Sequence, residues 1–313
     1  MSGTTDRLLV AADLTEASDA AVRFSAAVAK ALAITLELVH VVDSTGSEPL
    51  PEATDPAVQV YLAELQKRLD ERRDSEAMGL EAERARVATF GVRSETRMLN
   101  GRVWEAVLTR AKEVDARFVV VGPHGKGPGE RVLGALGEWL LGSTADRVVR
   151  HASCPVWVVP TPSGEPVTPL QRIMVAVDFS AVSARAIGIA ADLARGAGGE
   201  LHLVHILPPG YRGDSNSPCP DDLTTAPSTI IANDAKARVH RVAQGIEGLT
   251  VHESVRVAGH SIHDELLLAA KETGATELVL GSHSRSVLDQ LVLGNTAERM
   301  IKRASIPTLV VRG

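Results

Sequence analysis

The sequence predicts an α/β protein built as two doubly wound, parallel-sheet domains. Three observations carry this. Short apolar runs alternate with longer stretches of helical pattern, which implies β-α-β units and a parallel sheet. The strand-like runs are apolar almost throughout, as suits a sheet covered on both faces. The whole pattern also occurs twice. Arg7-Leu8-Leu9-Val10-Ala11-Ala12-Asp13-Leu14 returns as Arg172-Ile173-Met174-Val175-Ala176-Val177-Asp178-Phe179, with Asp13 and Asp178 165 positions apart. Leu38-Val39-His40-Val41-Val42 returns at the same offset as Leu203-Val204-His205-Ile206-Leu207. The offset falls to 159 between Gly122 and Gly281 and to 152 between Gly142 and Gly294, which confines the length differences to two places. Pro160, Pro162, Gly164, Pro166 and Pro169 mark a linker, so the domains run over residues 1–160 and 170–313.

In the first copy the strand that ends at Asp13 is followed by Thr15-Glu16-Ala17-Ser18, a helix start, and an Ala-rich helix to about Ala33. Thr35 to Val42 is the second strand. Pro56 to Thr89 is a long, charged surface helix with i,i+4 pairs such as Glu64 with Arg68. Ser94 to Leu99 alternates as a third strand. Trp104 to Val114 is helical, Phe118 to Val121 is the fourth strand, Ala145 to His151 is helical, and Val156 to Val159 closes the unit. The second copy repeats this order. Its stretch from Pro208 to Pro227 reads as a loop before a shorter helix, about Ser228 to Ile246. The last strand of each copy is apolar and led by a proline, Pro155 or Pro307. A Pro-led apolar edge invites covering, so the two last strands are expected to bring the copies together as an intrachain pseudo-dimer. A homodimer of two chains is a further expectation.

Bulk properties narrow the function classes. A net charge of -6 argues against a general nucleic-acid binder. Cys154 and Cys219 lie too far apart in sequence to suggest a disulfide framework or a metal cluster. No apolar run approaches membrane-spanning length, and residues 1–7 carry no apolar signal core, so a cytoplasmic protein without membrane contact is expected. His260 and His263 have metal-compatible spacing but no third ligand. No nucleophile, base and orienter stand out, so no catalytic residue is assigned. Trp104, Trp139 and Trp157 read as packing groups.

The chemistry concentrates in two glycine loops. Val119-Val120-Val121-Gly122-Pro123-His124-Gly125-Lys126 is followed by Leu141-Gly142-Ser143-Thr144. Leu278-Val279-Leu280-Gly281-Ser282-His283-Ser284-Arg285 is followed by Leu293-Gly294-Asn295-Thr296. Gly142 precedes Pro155 by thirteen positions, and Gly294 precedes Pro307 by the same thirteen. A strand, a glycine loop and a helix start form a geometry in which backbone amides cradle phosphate. Ser143 and Thr144 add hydroxyls there. Lys126 and Arg285 either neutralise phosphate or are solvated charges. His124 and His283 either touch phosphate or serve no such role. Asp13 and Asp178 either contact a ligand or cap the following helices. His40 and His205 sit in apolar strands and read as core or strand-end hydrogen-bonding groups rather than catalytic ones.

These residues make the chain resemble a tandem universal stress protein over nearly its whole length. The resemblance implies a strand order of 3-2-1-4-5 in each domain. It also implies ATP binding, possibly with Mg²⁺, through G-x-x-G, nine residues, then G-S or G-T. Asp13 and Asp178 would recognise the ribose, backbone around Val41 and Ile206 would meet adenine, and the glycine loops would hold the phosphates. The first domain has Gly122-x-x-Gly125 and Gly142-Ser143, but sixteen residues separate Gly125 from Gly142. The second keeps the nine-residue gap, yet has Ser284 for the second glycine and Asn295 for the hydroxyl. The first site is expected to bind more tightly. The implied role is to hold ATP or a related adenine nucleotide and couple occupancy to conformation or partner binding in a stress response. A slow ATPase or nucleotidyl-transferring enzyme, and a scaffold for another small ligand, are the alternatives.

Overall fold

The computed structural model describes residues 6–42, 55–123, 141–160, 168–211, 227–282 and 294–313. The first half runs β1 (Arg7–Ala11), α1 (Glu16–Leu32), β2 (Thr35–Val42), α2 (Pro56–Ala88), β3 (Ser94–Asn100), α3 (Val103–Glu113), β4 (Phe118–Val121), α4 (Ser143–His151) and β5 (Val156–Val158). The second half repeats it as β6 (Arg172–Ala176), α5 (Ala181–Ala197), β7 (Glu200–Leu207), α6 (Pro227–Gln244), β8 (Val251–Val257), α7 (Ile262–Thr273), β9 (Glu277–Ser282), α8 (Asn295–Arg303) and β10 (Thr308–Arg312). A short 3₁₀ turn, Pro209–Tyr211, follows β7.

The strands form one ten-stranded sheet in the order β3-β2-β1-β4-β5-β10-β9-β6-β7-β8. Each half therefore has the order 3-2-1-4-5, and all pairing within a half is parallel. The expected meeting of the two last strands is present. β5 and β10 pair antiparallel, with Leu309 opposite Trp157.

Strand alternation divides the core into two layers that both run across this seam. Leu8, Val10, Phe118 and Val120 point to the side of α1, α2, α5 and α6. Leu9, Val119, Val121 and Met174 point to the side of α3, α4, α7 and α8. Trp157 is fully buried at the seam and meets Phe24 of α1 edge-on at 4.8 Å, the packing role expected of it. The halves also touch through α1 and α5. A Cβ added at Gly196 would lie 1.8 Å from the carbonyl oxygen of Ala31, so only glycine allows these helices so close. Arg117 reaches Asp192 at 3.6 Å across the same boundary.

Local chemistry sets the helix ends. Asp55 accepts from the amide of Ala57 at 2.8 Å and Pro56 opens α2, a favourable start. Only Leu80 and Val87 of α2 are buried, and Arg68 donates to Glu64 at 3.1 Å, so it is the surface helix expected. α1 ends at Ala33 with φ 54°, where α5 ends at Gly198 with φ 70°. α4 begins at Ser143 rather than Ala145, because Gly142 is its N-cap. α6 ends at Gln244, ahead of Gly245 and short of Ile246.

Candidate functional site

In a doubly wound sheet the crevice lies where successive connections leave a pair of strands in opposite directions, at the carboxyl ends. Here that pair is β1 and β4 in the first half, and β6 and β9 in the second. Val10 is level with Val120, so Asp13 and Gly122 emerge from the same edge three and two residues further on. Ala176 is level with Leu280, which puts Asp178 beside Gly281 and Ser282. Val41 and Ile206 stand at the carboxyl ends of the neighbouring strands β2 and β7.

The loop after the first strand is built on the same turn in the two halves. Asp13 Oδ1 accepts from the amide of Thr15 at 3.0 Å and from its hydroxyl at 2.6 Å. Asp178 Oδ1 accepts from the amide of Ser180 at 3.0 Å. These are Asx turns. The N-caps are Thr15 and Ser180, so neither aspartate occupies the cap position itself. The residue inside each turn is left-handed although it is not glycine: Leu14 has φ 60° and Phe179 φ 63°. Bulky residues adopt that conformation at a cost of about 1 kcal/mol or more, and such strain concentrates at functional loops.

His40 and His205 hold the loop from the side. Each brings Nδ1 to within 2.7 Å of a carbonyl oxygen at the end of the first strand, Ala12 for His40 and Val177 for His205. A carbonyl oxygen only accepts, so Nδ1 carries a proton and donates. Both act as strand-end hydrogen-bonding groups, as their sequence position implied, and each fixes the backbone just before the aspartate.

The opposite wall is a helix start. Gly142 is the N-cap of α4 and Gly294 that of α8, with φ -59° in both, and among the described residues no cap side chain bonds either helix start. The amide of Gly142 donates to the carbonyl of Pro123 at 2.7 Å, which ties α4 to the end of β4. The amide of Gly294 instead donates to the hydroxyl of Ser282 at 3.2 Å. Ser143 and Asn295 are exposed; Thr144 and Thr296 are half-buried beside them. His124, Gly125, Lys126, His283, Ser284 and Arg285 lie outside the described residues. One feature of the second half was not legible beforehand. Phe179 lies between the ring of His205, with centroids 4.6 Å apart, and the guanidinium of Arg238 at 3.9 Å, where the first half has only Leu14. An aromatic after the aspartate is a sequence signal, but its cation comes from α6, more than fifty positions on.

Cys154 is half-buried and its thiol is pushed up to about 11 by burial, which makes it unreactive. Among the described residues no helix is long and apolar enough to cross a membrane.

A model of the universal stress protein family matches residues 4–160 and matches again over residues 169–312. The chain belongs to the universal stress protein family. It carries two universal stress protein domains in tandem. A universal stress protein of Mycolicibacterium smegmatis is 27% identical over 322 residues, covering 99% of this chain and 98% of its own length. A shorter one, from Thermus aquaticus, is 33% identical over 153 residues, 49% of this chain and 96% of its own. Among solved structures, a universal stress protein from Archaeoglobus fulgidus superposes with a TM-score of 0.65 and 21% identity, covering 98% of each chain, which shows the fold. Another from the same organism, solved in complex with dAMP, is 26% identical over 45% of this chain and 97% of its own, with a TM-score of 0.33.

Proposed function

We propose that this universal stress protein holds an adenine nucleotide, ATP or a close relative, at the carboxyl ends of the strands, and that occupancy sets its conformation and its binding to partners in a stress response. Each half, residues 1–160 and 170–313, is one such unit. One observation carries the reading. Both halves place an Asx-turned aspartate with a left-handed neighbour at the same edge of the sheet as a glycine-capped helix start whose cap residue offers no side chain to the first-turn amides. Helix-start amides and the positive end of the helix dipole favour phosphate. The carboxylates of Asp13 and Asp178, on the loop after the first strand of each half, accept hydrogen bonds and so suit a group that donates them, such as ribose hydroxyls. Gly122, Gly125, Gly142, Ser143, Thr144 and Lys126 supply the phosphate cradle of the first half. Gly281, His283, Ser284, Arg285, Gly294, Asn295 and Thr296 supply that of the second. Mg²⁺, where it accompanies the nucleotide, would be carried on the phosphates. The first half is assigned the tighter site because it keeps both glycines and the Ser143 and Thr144 hydroxyls.

A chain of charges supports coupling between the two cradles. Arg150 near the end of α4 pairs with Asp146 in the first turn of α4 at 2.9 Å and with Glu298 in the first turn of α8 at 3.3 Å. Glu298 in turn accepts from Lys302 at 2.7 Å. A phosphate that repositions one helix start therefore disturbs an ion pair shared with the other. Mass spectrometry of small molecules released from the purified chain, with ATP titration of the emptied protein, tests the proposal. Release of an adenine nucleotide or saturable ATP binding is the expected result; absence of both overturns it.

A further inference from the structure

We propose a transition-metal site, of zinc class, at the amino ends of β7 and β8, formed by Glu200, His202 and His252. It lies at the opposite end of the sheet from the nucleotide crevice. His202 and His252 are level cross-strand partners. Their rings stack with centroids 4.4 Å apart at 21°. Both present Nε2 to the same carboxylate, His202 to Glu200 Oε1 at 3.1 Å and His252 to Oε2 at 3.2 Å. One donor atom from each of the three lies within 4.8 Å of the other two. A tetrahedral Zn²⁺ with ligands at about 2.0–2.2 Å needs donors roughly 3.3 Å apart. Each imidazole Nε2 already stands about that far from one carboxylate oxygen, His202 from Oε1 and His252 from Oε2, and rotation of the rings and the carboxylate within the 4.8 Å cluster draws the three donors round one ion, with water completing its shell. Two imidazoles and one carboxylate suit zinc or copper rather than calcium or magnesium.

The other half shows that this is a substitution of one chemistry for another. Position by position, Glu37 stands where the second half has His202, Glu95 where it has His252, Arg97 where it has Ser254, and Arg110 where it has Ala269. In the first half Glu37 is buried against Arg7 at 3.0 Å and Arg110 at 2.7 Å. The second half has lost both acids and two of their guanidiniums together, and in the same places it has gained two imidazoles. Arg172 remains, with Nε 3.1 Å from Glu200 Oε1. It must leave that oxygen, or keep it while the metal takes Oε2. Because β8 is a terminal strand of the sheet, a metal here pins that edge to β7.

The test uses the full, tag-free chain stripped with chelator and titrated with Zn²⁺ by calorimetry, with thermal melts alongside. The expected result is one Zn²⁺ per chain at this site and a raised melting midpoint. His202→Gln and His252→Gln should each weaken binding about tenfold or more and abolish the shift in midpoint. His240→Gln, at an exposed histidine paired with Glu253 rather than Glu200, should leave both unchanged. No saturable binding, or binding that both His202→Gln and His252→Gln leave intact while circular dichroism shows them folded, would overturn the proposal.

Discussion

At the carboxyl ends of the strands His40 and His205 make the same 2.7 Å bond to the same kind of carbonyl, whereas at the amino ends Glu37 and His202 occupy one position with unlike chemistry. The difference separates two kinds of constraint. The carboxyl-end loop depends on backbone conformation: an Asx turn, a left-handed residue, a histidine on a carbonyl and a glycine at the helix start. Few side chains satisfy each of these. The amino end asks only that buried and part-buried polar groups find partners, and an acid among guanidiniums or imidazoles around an acid both do so.

The largest effect that bears on this contrast is expected at Glu37. Its side chain is 1% exposed, and removing it leaves the partly buried guanidiniums of Arg7 and Arg110 without their shared acid. Glu37→Ala should lower unfolding free energy by about 4 kcal/mol. His202→Ala, in metal-free buffer, should lose about 1 kcal/mol. Urea denaturation measures both, and equal losses would erase the distinction.

A second contrast lies two strands over, where the first half has Phe118 and the second Glu277. Burial pushes the Glu277 carboxyl up to about 7 from an ordinary 4.5, against the opposing bonds from Thr276 and the amide of Leu170. The folded state therefore holds this proton more tightly than the unfolded chain. Its stabilising contribution is complete below the ordinary value and is lost as pH rises towards and through 7. The loss is on the order of 3 kcal/mol. Glu277→Gln should flatten that slope in stability measured between these pH values; an unchanged slope would locate the proton elsewhere.

A smaller effect tests how firmly the halves are joined. Gly196→Ala forces a Cβ into the Ala31 carbonyl and should cost about 2 kcal/mol. Gly188, on the same helix with nothing within 4 Å of an added Cβ, should tolerate alanine or gain from it. Similar melting shifts for the two would mean that the α1–α5 approach carries no stability.

The contrast also explains what the sequence revealed. The internal repeat, the apolar strands and the glycine–proline interval made the fold, the strand pairing at the seam and the carboxyl-end crevice legible. Asp13 and Asp178 announced their loops, although their place two residues before the caps came only with the structure. The amino-end clusters were not legible. Glu37 meets Arg110 across 73 positions and Glu200 meets His252 across 52, and nothing local fixes either pairing. Cross-strand register does so, and a one-residue shift would have separated them. The signal that existed was Glu200-x-His202 opposite His252, visible only once β7 and β8 were aligned.

The central claim is that the glycine-capped helix starts hold the phosphates of an adenine nucleotide, with the first half the tighter site. Parallel ATP titrations of the wild-type chain, Gly142→Asp and Gly294→Asp test it most directly, because each variant places an anion where phosphate is assigned. Gly142→Asp should weaken the tighter binding about 100-fold, and Gly294→Asp should leave it nearly unchanged. Loss of binding in Gly294→Asp alone would reverse the order of the sites, and unaltered binding in both variants would contradict the account.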